Sequence, residues 1–265
     1  LPPCVRFIVS TVEHDRSTRF DEEAADHRTF TELKRRQCPT LKMEPLGIPT
    51  RHTIIDSYCA LFPGYVELQE NQQFRIVTST ASAHPLYLRC LLQSLRLGLI
   101  MTTHSKDHLL DTFLRCSTAF ELTEKVLNLC MFSISNEAYV DLLGKILTVV
   151  YVSRNGLSEE EVWGIVKLVS KVEVDQMHQQ KLMAILKNFT MCINDLHSFS
   201  HEVYKEVIYS KFICNNDTFI RWHILMARYF GHLPTCDRKL TCLPFHLEVA
   251  GSFHHRAERV DGALW

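Results

Sequence analysis

Helical spacing of apolar residues limits the fold of this chain more than any other feature. From Thr50 onward the spacing is almost unbroken, as in the stripe Leu88, Leu91, Leu92 and Leu95. Apolar residues three and four positions apart form one face of a helix. The pattern therefore predicts a mainly α fold.

Two short β-prone runs interrupt the helical pattern late in the chain. They cover 189–193 and 196–199 and are joined by the turn-forming pair Asn194-Asp195. Short β-prone runs separated by such a pair are typical of a hairpin. We expect an antiparallel hairpin at this place.

The first 47 residues differ from the rest. The apolar run 5–9 is typical of a buried strand in a parallel sheet. A charged stretch, 21–36, is acidic first and basic last, which suits a solvated helix. The segment 41–43 is a candidate for a second short strand.

Local signals in the first half indicate where helices begin and end. Pro85 stands at the start of the leucine-rich helix, where its missing N–H costs nothing, and Gly98 is predicted to end that helix. Thr118 and Glu121 have the spacing of a capping box before the next apolar stripe. A further helix is expected over 136–153.

The second half is punctuated in the same way. The pair Asn155-Gly156 breaks the helical pattern, and Ser158 with Glu161 forms another capping box. Helices are then predicted over 175–187 and, after the hairpin, over 200–212.

Two more caps complete the pattern. Ser200 is the predicted cap of the helix after the hairpin, and Asp217 is the predicted cap of a last long helix closed by Gly231. Beyond Pro234 the helical signal weakens.

The order helix, helix, hairpin, helix is the outline of a winged-helix domain over 156–212. Its last helix carries Lys205 and Lys211 beside Glu202 and Glu206, so it would bind phosphates poorly. The net charge is -1 and the pI is about 7.0, without the basic excess of nucleic-acid-binding domains. We expect no nucleic-acid binding and a winged helix that contacts protein.

Motifs for catalysis are missing from the sequence. The one Gly-Lys pair, Gly144-Lys145, has Tyr139 in place of the first glycine of a phosphate loop and Ile146 in place of its hydroxyl residue. The sequence also contains no G-x-S-x-G, H-E-x-x-H or C-x-x-C motif. The chain is therefore not expected to be an enzyme by itself.

Cysteines and histidines near the end raise the question of a metal. Cys236, Cys242, His246, His254 and His255 have none of the usual zinc spacings, and a helix with scattered polar residues is the preferred interpretation. With no signal peptide and no apolar run long enough for a membrane span, the ten scattered cysteines favour a cytoplasmic location without membrane contact.

Two residues at helix starts are candidates for a binding site. His201 follows the hairpin in the first helical turn, where the helix dipole favours a neutral imidazole that could make one hydrogen bond. The alternative is that His201 has no role beyond its position at a helix start, and that Pro85 is an ordinary first-turn proline.

Four segments in order carry a resemblance. They are 5–11 (VRFIVST), 84–89 (HPLYLR), 154–161 (RNGLSEEE) and 199–206 (FSHEVYKE). Together they resemble the C-terminal half of a NACHT-type STAND nucleotide switch, of the nephrocystin-like kind that carries tetratricopeptide repeats.

The resemblance implies a domain order. Residues 1–47 would be a C-terminal remnant of a P-loop sheet, 48–153 a helical lid, 154–213 a winged helix and 214–250 the start of a linking helical domain. The tail 251–265 does not continue the family pattern, no repeat is present, and Val12 stands where relatives often have arginine. The family's phosphate loop and its acidic metal-binding strand would lie upstream of Leu1.

The resemblance also implies the roles of the two candidates. Pro85 would lie against the adenine, and His201 would contact the β-phosphate of ADP and hold the switch closed. A complete member would bind ADP or ATP, whereas this chain alone is expected to hold no cofactor.

The expected function is regulatory: nucleotide sensing and oligomerisation in a signalling or scaffold protein. Protein partners are expected, with homo-oligomers formed through the complete switch module. Two alternatives remain, a nucleotide-independent interaction scaffold and a truncated product without function.

Overall fold

A computed structural model describes residues 31–41, 43–63, 66–134 and 136–261, with side chains as far as Gly251. The chain divides into two units, Leu1–Pro45 and Leu46–Trp265. In the described part of the first unit, 31–35 is helical, and Glu32 forms ion pairs with Arg35 and Arg36. Leu41 and Met43 are exposed and not in a strand, so the strand predicted at 41–43 is wrong for them, while the strand predicted at 5–9 lies outside the described residues.

The second unit is built almost wholly from helices, which confirms the mainly α prediction. A single 3₁₀ turn, Ala81–Ala83, precedes the third helix, and a π-helical turn, Tyr209–Ile213, follows the ninth. The elements in chain order are α1 (Ile48–Leu61), α2 (Glu70–Thr78), α3 (Pro85–Met101), α4 (Lys106–Leu114), α5 (Ala119–Phe132), α6 (Glu137–Val152), α7 (Glu159–Lys167), α8 (Gln176–Phe189), β1 (Thr190–Ile193), β2 (Leu196–Phe199), α9 (Glu202–Ile208), α10 (Asn216–His232) and α11 (Asp237–Asp261).

One continuous apolar core joins these helices. α3 and α6 supply much of it, since each has nine buried residues. The predicted leucine stripe of α3 is fully inside, with Leu88, Leu91, Leu92 and Leu95 at most 1% exposed. Burying a leucine side chain contributes about 2 kcal/mol, so this stripe holds α3 firmly within the core.

The hairpin and its neighbours follow the predicted order. β1 pairs antiparallel with β2 from Thr190 opposite Phe199 to Ile193 opposite Leu196. Asn194 and Asp195 both adopt positive φ, which these residues tolerate in tight turns. The order helix, helix, hairpin, helix is thus observed in α7, α8, β1–β2 and α9.

Gly156 holds the hairpin close to the start of α7. It adopts a φ of +79°, and a Cβ built there would lie 2.7 Å from the carbonyl oxygen of His197. Leu157 and His197 exchange two backbone hydrogen bonds, of 3.0 and 2.8 Å. A side chain at position 156 would therefore push the hairpin away.

The predicted caps are confirmed in part. Ser158 and Glu161 form the full reciprocal capping box. The hydroxyl of Thr118 accepts from the backbone N–H of Glu121, but the Glu121 carboxylate accepts from Ser117 instead of closing the box.

Several predicted boundaries are wrong. α3 continues past Gly98 to Met101, because Gly98 serves close packing: a Cβ there would lie 3.0 Å from Leu109 of α4. Asn215, not Asp217, caps α10. Two helices, α2 and α4, have no counterpart in the sequence prediction, whereas the helix preferred for the residues around Cys242 and His246 is α11, which continues through Pro244.

Candidate functional site

The first candidate residue, Pro85, begins α3. His84 is the N-cap residue in an extended conformation, and the short 3₁₀ turn 81–83 leads into it. Pro85 itself is exposed. The absence of its N–H costs nothing at this position, and its ring is available at the surface.

The second candidate residue, His201, is the N-cap of α9. The backbone N–H of Val203 donates to Nδ1 of His201 over 3.2 Å. His201 therefore occupies the position predicted for Ser200 rather than the first helical turn. Ser200 is used elsewhere, because its hydroxyl donates to the carbonyl oxygen of Phe189.

The cap fixes the tautomer of a neutral His201 ring. Because Nδ1 accepts a hydrogen bond, it carries no proton, and the proton of the neutral ring lies on Nε2. The side chain is exposed, and no described residue forms a hydrogen bond with its Nε2 atom. Such a donor can bind an oxygen of a phosphate or carboxylate.

A buried tyrosine joins the two helices that carry the candidates. The Tyr204 hydroxyl donates to Oε1 of Gln93 over 2.9 Å. Its single hydrogen is used there, so it accepts from the Cys90 thiol at 3.3 Å. Burial is the main cause that raises the pKa of the Tyr204 phenol, and also that of the Cys90 thiol.

This link lies one turn inside each candidate residue. Tyr204 follows His201 by one helical turn in α9, and Cys90 follows Pro85 by a little more than one turn in α3. The described residues show no direct contact between Pro85 and His201. Their shared role stays a prediction, but their helices are held together by Tyr204.

Sequence reasoning missed Tyr204, Cys90 and Gln93. Tyr204 stands within the segment 199–206, but nothing in the sequence indicates which helix its hydroxyl reaches. The partners become visible only when α9 packs near α3.

A shallow cavity of about 310 Å³ lies between the turn before α3 and the loop after α4. It is lined by residues 79–81 and 114–117. Neither Pro85 nor His201 lines it.

The histidines and cysteines near the end of the chain are spread along a helix, as the sequence indicates, with Cys242 and His246 on α11. His246 is fully buried and pairs with His223 of α10, with the two Nδ1 atoms 2.9 Å apart. Cys242 is buried in the core and Cys236 is exposed. No group of three or more residues fit to hold a metal occurs in the described part of the chain, while the His254 and His255 side chains lie outside it.

An ion pair attaches α11 to the start of α7. The guanidinium of Arg238 donates twice to the Glu161 carboxylate, over 2.8 and 2.7 Å, and once to the Gly156 carbonyl. The Glu161 side chain is 11% exposed. This bidentate pair raises the pKa of Arg238 and holds α11 against the start of α7.

A known protein family matches more than half of this chain. Residues 53–207 match the family model of the helical domain of nephrocystin 3. The match spans α1 to α9 almost completely and includes both Pro85 and His201. No curated protein and no solved structure shows a significant match. Among the described residues, no helix is long and apolar enough to cross a membrane.

Proposed function

This chain belongs to the nephrocystin 3 helical-domain family, and we propose from this membership that it is the nucleotide-sensing part of a STAND-type switch. A helical domain of this kind is suited to regulation or protein interaction. Residues 48–153 would form the lid of the switch and 154–213 its winged helix. In this role the chain binds and regulates but does not catalyse, because it has no phosphate loop.

The free Nε2–H of His201 carries this proposal. The backbone of α9 orients the ring through Nδ1, so the ring can present Nε2–H without further ordering. A preoriented neutral donor suits a phosphate oxygen, which needs hydrogen-bond donors. An ordinary N-cap residue such as serine would satisfy the helix equally well, but its short hydroxyl would not place a donor as far from the helix as imidazole Nε2 does.

Pro85 and Tyr204 would have separate roles. The exposed Pro85 ring offers an apolar surface against which a nucleobase can pack. Tyr204 keeps α9 beside α3, so a change at His201 would be passed to the helix that begins at Pro85. Losing the His201 contact would release the winged helix from the lid.

Protein partners are the proposed readout of this switch. The β1 strand presents Met191 and Ile193 to solvent, with 41% and 59% of each exposed. Apolar side chains at the surface of a small hairpin favour contact with another protein, and the same observation supports a nucleotide-independent scaffold as the second candidate function. We place both functions in the cytoplasm, and homo-oligomers would form through the complete switch module.

ADP release tests the proposal. A chain that joins these residues to an upstream P-loop core is loaded with a fluorescent ADP analogue, and the release rate is followed after addition of excess ADP. His201→Ala and His201→Ser should each release ADP about tenfold faster, since a hydrogen bond to a charged group contributes roughly 1.5–3 kcal/mol. His104→Ala, at an exposed histidine in the loop before α4, is the matched control and should release at the wild-type rate.

The His201→Ser variant separates binding from helix capping. Its hydroxyl would restore an acceptor for the Val203 N–H but would not extend a donor as far as imidazole Nε2 does. Release at the wild-type rate from His201→Ser would show that His201 is only a cap. Equal ADP retention in all variants would leave the nucleotide-independent scaffold.

A further inference from the structure

Hydrogen-bond donors that have no acceptor in the described residues lie where α1 and α3 meet, near α9. Arg96 of α3 is half-buried, and its guanidinium carbon lies 4.2 Å from the centre of the Phe62 ring. Its Nε atom is buried and has no hydrogen-bond partner. Within the described residues no carboxylate lies within 4.0 Å of this guanidinium, although most half-buried arginines are paired.

Tyr58 of α1 repeats this situation next to Arg96. Its ring packs on Phe62 with centroids 4.9 Å apart, so the Phe62 ring contacts both side chains. Its hydroxyl oxygen is buried and has no hydrogen-bond partner. Burial is the main cause that raises the pKa of this phenol, while the nearby guanidinium groups of Arg96 and Arg89 act against it.

Arg89 completes the cluster. It lies seven residues before Arg96 on α3, so the two arginines are about 10 Å apart on one side of the helix. Arg89 is exposed and has no ion pair with any described residue. Its guanidinium also acts on the pKa of Tyr204, which places it near α9.

All three side chains can donate hydrogen bonds. Two guanidinium groups supply donors and positive charge, and the Tyr58 hydroxyl can add one more donor. A buried donor without an acceptor costs free energy, so its presence in a folded protein needs an explanation. An oxyanion supplies several acceptors and the opposite charge at once.

We propose that Arg89, Arg96 and Tyr58 form a binding site for a phosphate group on the α1–α3–α9 face. Arginine binds the planar arrangement of phosphate oxygens through two parallel N–H donors, which lysine cannot do. The spacing of the two arginines suits a ligand with more than one charged group, such as a diphosphate. The site stands on its own residues and does not include His201.

Thermal melting of the full 265-residue chain provides the test, with inorganic phosphate and pyrophosphate as ligands against chloride at equal ionic strength. Pyrophosphate should raise the melting temperature of the wild type in a saturable way, since a ligand that binds only the folded state stabilises it. Arg89→Gln and Arg96→Gln should each weaken pyrophosphate binding about tenfold, and the double variant should show no saturable shift.

Two variants control for charge and for geometry. Arg221→Gln removes an exposed arginine from α10 and should leave the pyrophosphate response unchanged. Arg96→Lys keeps the charge but loses the two parallel donors, so binding should stay weaker than in the wild type.

Tyr58→Phe gives a result that a purely structural role would not give. Without ligand, removing a hydroxyl that has no partner should leave the melting temperature unchanged or raise it. With pyrophosphate, the same variant should bind more weakly because one donor is lost. A Tyr58→Phe chain that melts lower and binds normally would contradict the proposal.

Two other outcomes would also overturn the site. An equal response in the wild type and the double arginine variant would be a general ion effect, and no saturable response in the wild type would mean that water satisfies these donors. Comparing ADP with pyrophosphate tells a nucleotide phosphate from a free one. Loss of pyrophosphate binding in the arginine variants alone, with His201→Ser unaffected, would support this site even if the proposed nucleotide switch failed.

Discussion

The buried polar contact between α3 and α9 differs from the one between α10 and α11 in whether its buried polar atoms all have hydrogen-bond partners. At the α3–α9 contact, the Tyr204 hydroxyl has both a donor and an acceptor partner. At the α10–α11 contact, His223 and His246 face each other through Nδ1, and both Nε2 atoms are buried without partners. The burial is similar, but only the histidine contact leaves buried side-chain nitrogen atoms without a partner.

The histidine pair is incomplete for a simple reason. A hydrogen bond between two Nδ1 atoms needs a proton on one and a lone pair on the other. The first ring then has a bare Nε2 and the second an Nε2–H, and neither finds a partner. Like atoms that face each other therefore make a buried pair sensitive to protonation, whereas a hydroxyl between two different groups is not.

The largest expected effect is loss of stability in acid through His223 and His246. Burial lowers the pKa of His223 from 6.5 to about 4; burial, then His223 and Arg238, lower that of His246 to about 3. Both values lie below the unfolded value, so this stability is present above pH 6.5 and is lost as the pH falls toward the folded values. Between neutral pH and about pH 5 the free energy of unfolding should fall by roughly 4 kcal/mol, from about 2 per histidine.

Urea unfolding at a series of pH values measures this effect. The double variant His223→Leu with His246→Leu should flatten the curve between pH 6.5 and about pH 5 and keep or raise the stability at neutral pH. His104→Leu at the surface is the control and should keep the wild-type slope. Parallel curves for the wild type and the double leucine variant would remove the contrast between the two contacts.

The next effect concerns the ion pair that holds α11. Arg238→Met leaves the mostly buried Glu161 carboxylate without its partner and should lower the free energy of unfolding by about 3 kcal/mol. Adding Glu161→Gln should recover part of the loss. A double-mutant cycle by chemical denaturation measures the coupling, and a coupling near zero would mean that the α10–α11 region is held by apolar packing alone.

The smallest effect is expected at the complete contact. Tyr204→Phe leaves the Cys90 thiol and Gln93 Oε1 without the hydroxyl and should cost about 1 kcal/mol, with no change between pH 5 and 8, because no group there titrates in that range. Tyr139→Phe, at a tyrosine without a hydroxyl partner among the described residues, should be close to neutral. If the loss of unfolding free energy in Tyr204→Phe changed with pH, the two contacts would not differ in their sensitivity to protonation.

Sequence pattern predicts the parts of the fold that depend on local chemistry. The helix expected over 136–153 is α6, at Glu137–Val152, because its apolar stripe and its asparagine cap agree. The predicted hairpin lies within a residue of β1 and β2, since the Asn194-Asp195 pair adopts the positive φ that a tight turn needs. Local signals and tertiary packing agree at these places.

The errors have physical causes in packing. Beyond Pro234 the helical signal of the sequence weakens, yet α11 forms there and continues through Pro244 while packed against α10. Gly98 predicts a helix stop, whereas in the structure it allows Leu109 to approach α3. In both cases a long-range contact overrides a local signal, and one sequence does not contain that information.

The candidate site is predictable to a similar extent. The sequence marks Pro85 and His201 as helix starts, and both are at helix starts. The Tyr204 link, the unpaired donors of Arg96 and Tyr58, and the pairing of His246 with His223 depend on which helices meet. The roles of Pro85 and His201 in binding nucleotide stay predictions, and so do those of Arg96 and Tyr58 in binding phosphate.

The left-handed Gly156 has a consequence for the order of folding. Its missing side chain lets Leu157 pair with His197, a residue that the ribosome adds only after all of α7 and α8. Pairing across so long a stretch of chain is entropically slow. During synthesis the helices before Gly156 can therefore assemble early, and the hairpin should be the last part of this region to acquire protection from hydrogen exchange.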